Sequence, residues 1–176
     1  MRILGIDPGY AIVGWGIIDY EKGKFSVVDY GAITTPAGMD FPARLSIIYD
    51  MAYEIMDRYN PTVMAIEKLF FTNNKTTGID VAQARGVVML AANQHDLEIN
   101  EYTPNQVKQG VVGYGKAEKK QIMEMTRMIL NLKEVPKPDD TADALAMAIC
   151  HAHVNGSRLG TMDSSKPRML KVRKGI

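Results

Sequence analysis

A chain of 176 residues with 46% hydrophobic side chains is long enough to bury one substantial core and short for two, and its 21 basic and 20 acidic side chains leave a net charge of +1. These values exclude a disordered polyelectrolyte and point to a soluble globular domain. A single cysteine, Cys150, excludes a disulfide framework within the chain and fits a reducing compartment; with no charged-then-apolar leader and no apolar run of membrane-spanning length, a cytoplasmic location is expected.

In chain order, "RILGID" reads as a short buried strand and "AIVGWGIIDY" as a second, with "EKG" turning into a third, "KFSVVDYGAIT". Short turns between three strands predict an antiparallel meander. Asp7 closes the first strand directly before Pro8 and Gly9. An acid there is ordinary turn chemistry, and it also stands at the C-terminal strand end where open α/β sheets bind ligands; alone it does not decide. Leu45, Ile48, Tyr49, Ala52, Ile55, Met56 and Tyr59 then recur on one helical face, and Asn60-Pro61 stops that helix. "TVMAIE" is a fourth strand, apolar until Glu67 ends it; entered through a helix, it can pair in parallel with an earlier strand.

"KLFFTNNKTTG" is a polar loop with adjacent aromatics, Phe70 and Phe71. A helix over about residues 79–94, "IDVAQARGVVMLAANQ", is apolar on more than one face, which predicts burial on two sides, in the core or against a second subunit. "LEINEYT" makes a fifth strand, Pro104 opens a helix through "NQVKQGVV", and residues 113–115 form a loop. A further helix from about Ala117 turns Ile122, Met125, Ile129 and Leu132 inward, and "PKPDD" precedes a last helix, "TADALAMAICHAHV". The order predicts an α/β domain over residues 1–154, built on a five-stranded mixed sheet flanked by helices. Residues 155–176 carry six basic side chains against one acid, Asp163, and read as a flexible basic tail, either solvated or facing a polyanion.

Four carboxylates fall where they could meet. If the first and fourth strands are parallel neighbours, Asp7 and Glu67 leave the same sheet edge roughly 4.8 Å apart. Asp140 and Asp143 are three apart at a helix start and share one side of its first turn. Capping and the helix dipole explain Asp139 and Asp140 equally well. Asp143 sits in apolar "ADALAMAI", where an unpaired carboxylate is costly. Four such acids repel one another unless a divalent cation joins them, and ligation by oxygen alone selects Mg²⁺ or Mn²⁺. A pair of ions would clamp a phosphodiester, which the Lys-rich "VKQGVVGYGKAEKKQ" and the basic tail also suit.

The runs "GIDPG", "AIE" followed by an aromatic, "QARG", "QVKQ.VVG.G.AEK" and "D.ADALA.A..H" occur in that order and together resemble the RuvC family of Holliday-junction resolvases, over roughly residues 1–154. The resemblance implies an RNase H-like fold and a homodimer, paired through the helix near 79–94. It implies that the dimer nicks two strands of like polarity in a four-way DNA junction, leaving 5′-phosphate and 3′-hydroxyl ends, in recombination and repair. It also implies two Mg²⁺ per subunit, with Mn²⁺ as a substitute, and partnership with a RuvA–RuvB branch-migration complex. The family's acidic ligands match Asp7, Glu67, Asp140 and Asp143, the spacing D-x-A-D-A-L-A selecting Asp140 over Asp139. Its basic residues match Lys108 and Lys119 as phosphate contacts, and its junction-contacting aromatic matches Phe70, expected outward with Phe71 inward.

Trp15 stands where the family often has Tyr. "NNKTTGID" departs from better-known members, so no cleavage-site preference carries over. His151 and His153 are read as satisfied surface or core histidines and Cys150 as a small buried apolar residue. An actin-like ATPase or sugar kinase needs two such domains, more than this length supplies. A junction binder that does not cut gains nothing from concentrated negative charge beside DNA. An RNase H-like nuclease acting on RNA would share the Asp and Glu strands without "QARG" and "QVKQ".

Overall fold

The computed structural model describes residues 1–69 and 75–158. Strands β1 (Arg2–Asp7), β2 (Ile12–Glu21) and β3 (Lys24–Thr34) come first, followed by α1 (Phe41–Tyr59), β4 (Val63–Glu67), α2 (Lys75–Gln94), β5 (Glu98–Tyr102), α3 (Pro104–Val112), α4 (Lys119–Ile129) and α5 (Asp139–Arg158). They form one sheet in the order β3-β2-β1-β4-β5. β1 and β2, and β2 and β3, pair antiparallel, whereas β4 is parallel to both β1 and β5. The expected α/β architecture with a mixed five-stranded sheet is therefore present. α2 begins a turn before the predicted helix, and α5 continues past residue 154 to Arg158. The remainder of the expected tail, residues 159–176, lies outside the described residues.

Local chemistry explains the element ends. Lys22 and Gly23 both take positive φ (49° and 81°), the conformation that suits a tight turn between twisted antiparallel strands. Asn60 ends α1 in the left-handed region, its N–H donating to the Met56 carbonyl at 2.9 Å. Thr103 caps α3 reciprocally with Gln106: Thr103 Oγ1 accepts from the Gln106 N–H at 3.1 Å and Gln106 Oε1 from the Thr103 N–H at 2.8 Å. Gln121 Oε1 accepts from the Glu118 N–H at 2.9 Å, which fixes the start of α4 and with it Lys119.

The sheet separates two apolar layers. Ile3, Ile18, Val63 and Ala65 point to one side and pack with residues of α3, α4 and α5; Leu4, Ile6, Ile17, Met64 and Ile66 point to the other and pack with α1 and α2. Side chains alternate along a strand, so Asp7 follows Ile3 and Gly5 onto the α5 side, and Glu67 follows Val63 and Ala65. Among the described residues no helix is long and apolar enough to cross a membrane.

α5 lies against a row of small residues. Gly5 pairs with Gly16 on β2 and with Ala65 on β4. A Cβ on Gly5 would stand 1.9 Å from the Ala144 carbonyl oxygen, and one on Gly14 would stand 2.0 Å from the carbonyl oxygen of Asp140. Main chain on the helix therefore rests where the strands have no side chain. Gly5→Ala is expected to destabilise the protein by about 1–3 kcal/mol, since backbone cannot yield as a flexible side chain can. Urea unfolding measures it; an unchanged midpoint would show that α5 does not need the glycine.

Candidate active site

Asp7 and Glu67 emerge on the same face at the C-terminal ends of adjacent parallel strands, one step beyond the paired residues Ile6 and Ile66. The glycine row brings the third element to them. Asp7 pairs with Gly14 across β1 and β2, and the Asp140 main chain rests on Gly14. The first turn of α5 is thereby set over the end of β1. Asp7, Glu67 and Asp143 line one cavity of about 220 Å³ together with Lys108 of α3 and Lys119 of α4, over apolar walls from Val107, Ile122 and Met147. A larger cleft of about 680 Å³, lined by Tyr49, Asp50, Tyr53, Glu54 and Gln94, lies away from this convergence.

Electrostatics mark the acidic cluster. Partial burial, then the charges of Asp143, Glu67 and Asp140, push the Asp7 carboxyl up from 3.8 to about 7, with Lys119 acting against them. Glu67 is raised by burial and by Asp143. Asp143 is raised as well, because burial outweighs the bond it accepts from Lys119. Lys119 Nζ stands 3.0 Å from Asp143 Oδ2 and 3.6 Å from Asp139 Oδ2, and those acids hold its ammonium charged. Asp140 acts through its charge on Asp7 and Asp143 without lining the cavity, and exposed Asp139 acts on Lys119 and on Asp143.

The donor set suits a hard divalent cation: oxygen ligands, like-charged, partly desolvated and holding protons above the usual carboxylate range. Among the described residues no three acidic, His or Cys side chains are already gathered as a finished cage. Lys119 supplies the positive charge at Asp143 instead. The four carboxylates come from three elements, Asp7 from β1, Glu67 from β4, and Asp140 and Asp143 from α5.

The other expected residues divide. Phe70 and Phe71 lie outside the described residues. His151 is fully buried, with Nδ1 2.8 Å from the Tyr102 hydroxyl and Nε2 2.8 Å from Asn155 Nδ2, and burial lowers its pKa. It is a satisfied core histidine. His153 is exposed, its Nδ1 2.7 Å from the Gly110 carbonyl and its ring edge-on to Phe25. Cys150 is buried, donates weakly to the Gln106 carbonyl, and has a thiol pushed up to about 12. Sequence reasoning missed the strand glycines. Gly5, Gly14 and Gly16 interrupt runs of Ile and Val, but a register shift between Ile17 and Ile18 in the β2–β3 pairing offers a local reason for the β2 glycines, and only the crossing of α5 shows their use.

Residues 3–151 match the family described as crossover junction endodeoxyribonuclease RuvC. Over 153 residues the chain is 61% identical to the crossover junction endodeoxyribonuclease RuvC of Alkaliphilus oremlandii (strain OhILAs), an alignment that covers 87% of this chain and 93% of that protein. The Thermus thermophilus RuvC structure superposes with a TM-score of 0.82 at 35% identity, covering 92% of this chain and 98% of that one. T. thermophilus RuvC in complex with Holliday junction substrate superposes with a TM-score of 0.85 at 34% identity, covering 92% and 97%.

The raised carboxyls set a pH dependence. Folding raises the proton affinity of Asp7, so between 3.8 and about 7 the folded chain binds more protons than the unfolded one, and stability falls as pH rises through that window. Metal-free protein is expected to melt lower at about pH 8 than at about pH 5 from this contribution, and Asp7→Asn is expected to flatten the slope. Added Mg²⁺ should raise the melting temperature more at the higher pH. Thermal unfolding monitored by circular dichroism checks both; an identical slope in Asp7→Asn would remove Asp7 as its source.

Proposed function

The chain belongs to the crossover junction endodeoxyribonuclease RuvC family, and from that premise we propose that it resolves four-way DNA junctions at the acidic cavity, with Asp7, Glu67, Asp140 and Asp143 as ligands of catalytic divalent metal. The observation that carries the assignment is the convergence of acids from β1, β4 and α5, with raised carboxyl pKa values, beside Lys108 and Lys119. The fold is the RNase H-like one of the family's solved members.

Two Mg²⁺ ions per subunit, with Mn²⁺ as substitute, would supply an activated water and a stabilised leaving oxygen. The chain's own residues do the rest. The four carboxylates would hold the ions at the strand ends, and their mutual repulsion is relieved only when a cation is shared. Lys108 and Lys119 flank the cavity and neutralise phosphate oxygens as DNA enters, and a phosphate at Lys119 competes with Asp143 for its ammonium. The apolar walls from Val107, Ile122 and Met147 keep the cavity partly dry, which strengthens each of these charge interactions. Cleavage leaves a 5′-phosphate and a 3′-hydroxyl.

Two like strands of a junction call for two sites, and the reading includes a homodimer built on the outer face of α2, where Ile79 and Leu90 are exposed. It includes a cytoplasmic location and partnership with a RuvA–RuvB complex. Phe70, three residues after Glu67 in the sequence, is assigned to stacking on distorted bases. Retention of carboxylates that must be neutralised before DNA approaches favours cutting over binding alone.

A synthetic four-way junction with Mg²⁺ is expected to give paired symmetric nicks that a ligase reseals, with linear duplex largely spared and EDTA abolishing the reaction. Glu67→Gln or Asp143→Asn should lower nicking by about a hundredfold or more while junction binding survives, because each removes a metal ligand and little volume. Either variant cutting at the normal rate would refute the ligand set. Phe70→Ala is expected to reduce cleavage more than binding, by a stacking contribution of about 1–3 kcal/mol; unchanged turnover returns Phe70 to a structural part.

A further inference from the structure

"QARG" is one of the runs that carry the family resemblance, yet neither the ligand set nor the phosphate contacts use its arginine. Arg85 projects from α2 and is only 8% exposed. Its Nε donates to the main-chain carbonyl of Glu67 at 3.0 Å, its Nη2 pairs with the Glu101 carboxylate on β5, and its Nη1 lies 2.9 Å from Met89 Sδ on α2 itself. A guanidinium keeps its charge when buried, so its acceptors are held as firmly as it is. Here they are the last residue of β4 and a neighbour on β5. The next residue is tied from the other side, the Lys68 N–H donating to the Tyr102 carbonyl at 2.8 Å. Glu67 therefore leaves the sheet from a main chain pinned on two sides.

We propose that Arg85 is a positioning residue for Glu67: its planar fork fixes the main chain from which that carboxylate is aimed, and the metal affinity of the site depends on it although Arg85 touches neither metal nor DNA. The proposal rests on the reading of Glu67 as a metal ligand. A carboxylate aimed from a strand end loses affinity when that end can swing, and residues that orient ligands in this way are worth about ten- to a hundredfold in metal binding. The expected sign is diagnostic. Removing a positive charge near an acidic cluster would by electrostatics alone tighten cation binding, whereas loss of positioning weakens it.

The test is Mn²⁺ titration of the DNA-free protein, followed by electron paramagnetic resonance, with junction binding in EDTA read by gel shift alongside. Arg85→Met is expected to weaken Mn²⁺ binding by about tenfold, to leave junction binding unchanged, and to recover part of its cleavage at high Mn²⁺. Arg85→Lys keeps the charge without the fork and is expected to weaken Mn²⁺ binding as well. Glu101→Gln leaves the bond to Glu67 in place and is expected to bind Mn²⁺ normally. Normal Mn²⁺ binding by folded Arg85→Met overturns the proposal, and an equal loss in Glu101→Gln overturns it too, since the ion pair would then be the source. Should Arg85→Met not fold, Arg85→Lys decides by the same criterion. Glu67→Gln in the same titration reads the underlying assignment separately: if that variant binds Mn²⁺ normally, the ligand set fails, and not merely the role of Arg85.

Discussion

The approach of α5 to the sheet is the constraint on which the site depends. Helices normally pack on sheets through layers of side chains. Here the helix main chain at Asp140 and Ala144 occupies space that a Cβ on Gly14 or Gly5 would need. That proximity lets short aspartate side chains in the first turn of α5 act on a carboxylate at the end of β1. With ordinary residues in those strands the helix would stand farther off, and an aspartate has no length to spare. Gly16, against the Leu145 side chain, extends the same track, and Ala65 continues it onto β4. The functional geometry thus follows from what β1 and β2 lack, not only from what the strands carry.

The cost of that geometry is visible in the proton affinities. Asp7 is raised to about 7, and Glu67 and Asp143 are raised in the same direction. In a chain selected for stability alone such a cluster would be replaced by apolar side chains, because partly buried like charges work against folding. Two apolar layers on either side of the sheet offset this locally unfavourable arrangement. Lys119 relieves it only in part, since burial still dominates at Asp143 despite a 3.0 Å ion pair. What remains uncompensated is an affinity for added positive charge, which is what a metal-dependent phosphodiesterase requires of its empty donor set.

Much of this was legible in the sequence, for reasons that differ from element to element. The strands and α1 were readable because each has a clear period and a chemical stop: Lys22-Gly23 for the hairpin, Asn60-Pro61 for the helix. Asp7 and Glu67 were readable as partners because both close apolar strands, and parallel pairing of the first and fourth strands puts them side by side. Asp143 stood out because an unpaired carboxylate in an apolar run is costly, whereas choosing Asp140 over Asp139 needed the family resemblance, since capping explains both of those acids equally well. The glycine track was not read, because its meaning comes from which helix crosses it, a tertiary fact that no local pattern contains. Arg85 was quoted within a motif but given no part, because its acceptors are a main-chain carbonyl and a residue on another strand.

The two layers also divide the surface. The acids and both lysines of the cavity lie on the side of α3, α4 and α5, whereas Met51 and Tyr53 of α1 and Ile79 and Leu90 of α2 are large apolar groups exposed in the opposite layer. On the proposed reading, a polyanion held at the first surface would leave the second uncovered, so DNA and a second subunit would not compete for the same residues. Glu67 is where the layers meet. Its side chain lines the cavity on the α5 side while its carbonyl is held by an arginine from α2, so of the four acids it is the one whose main chain is tied directly to the helix with the exposed apolar face. A change in the setting of α2 would therefore reach the proposed ligand Glu67 through the hydrogen bond from Arg85 to its carbonyl.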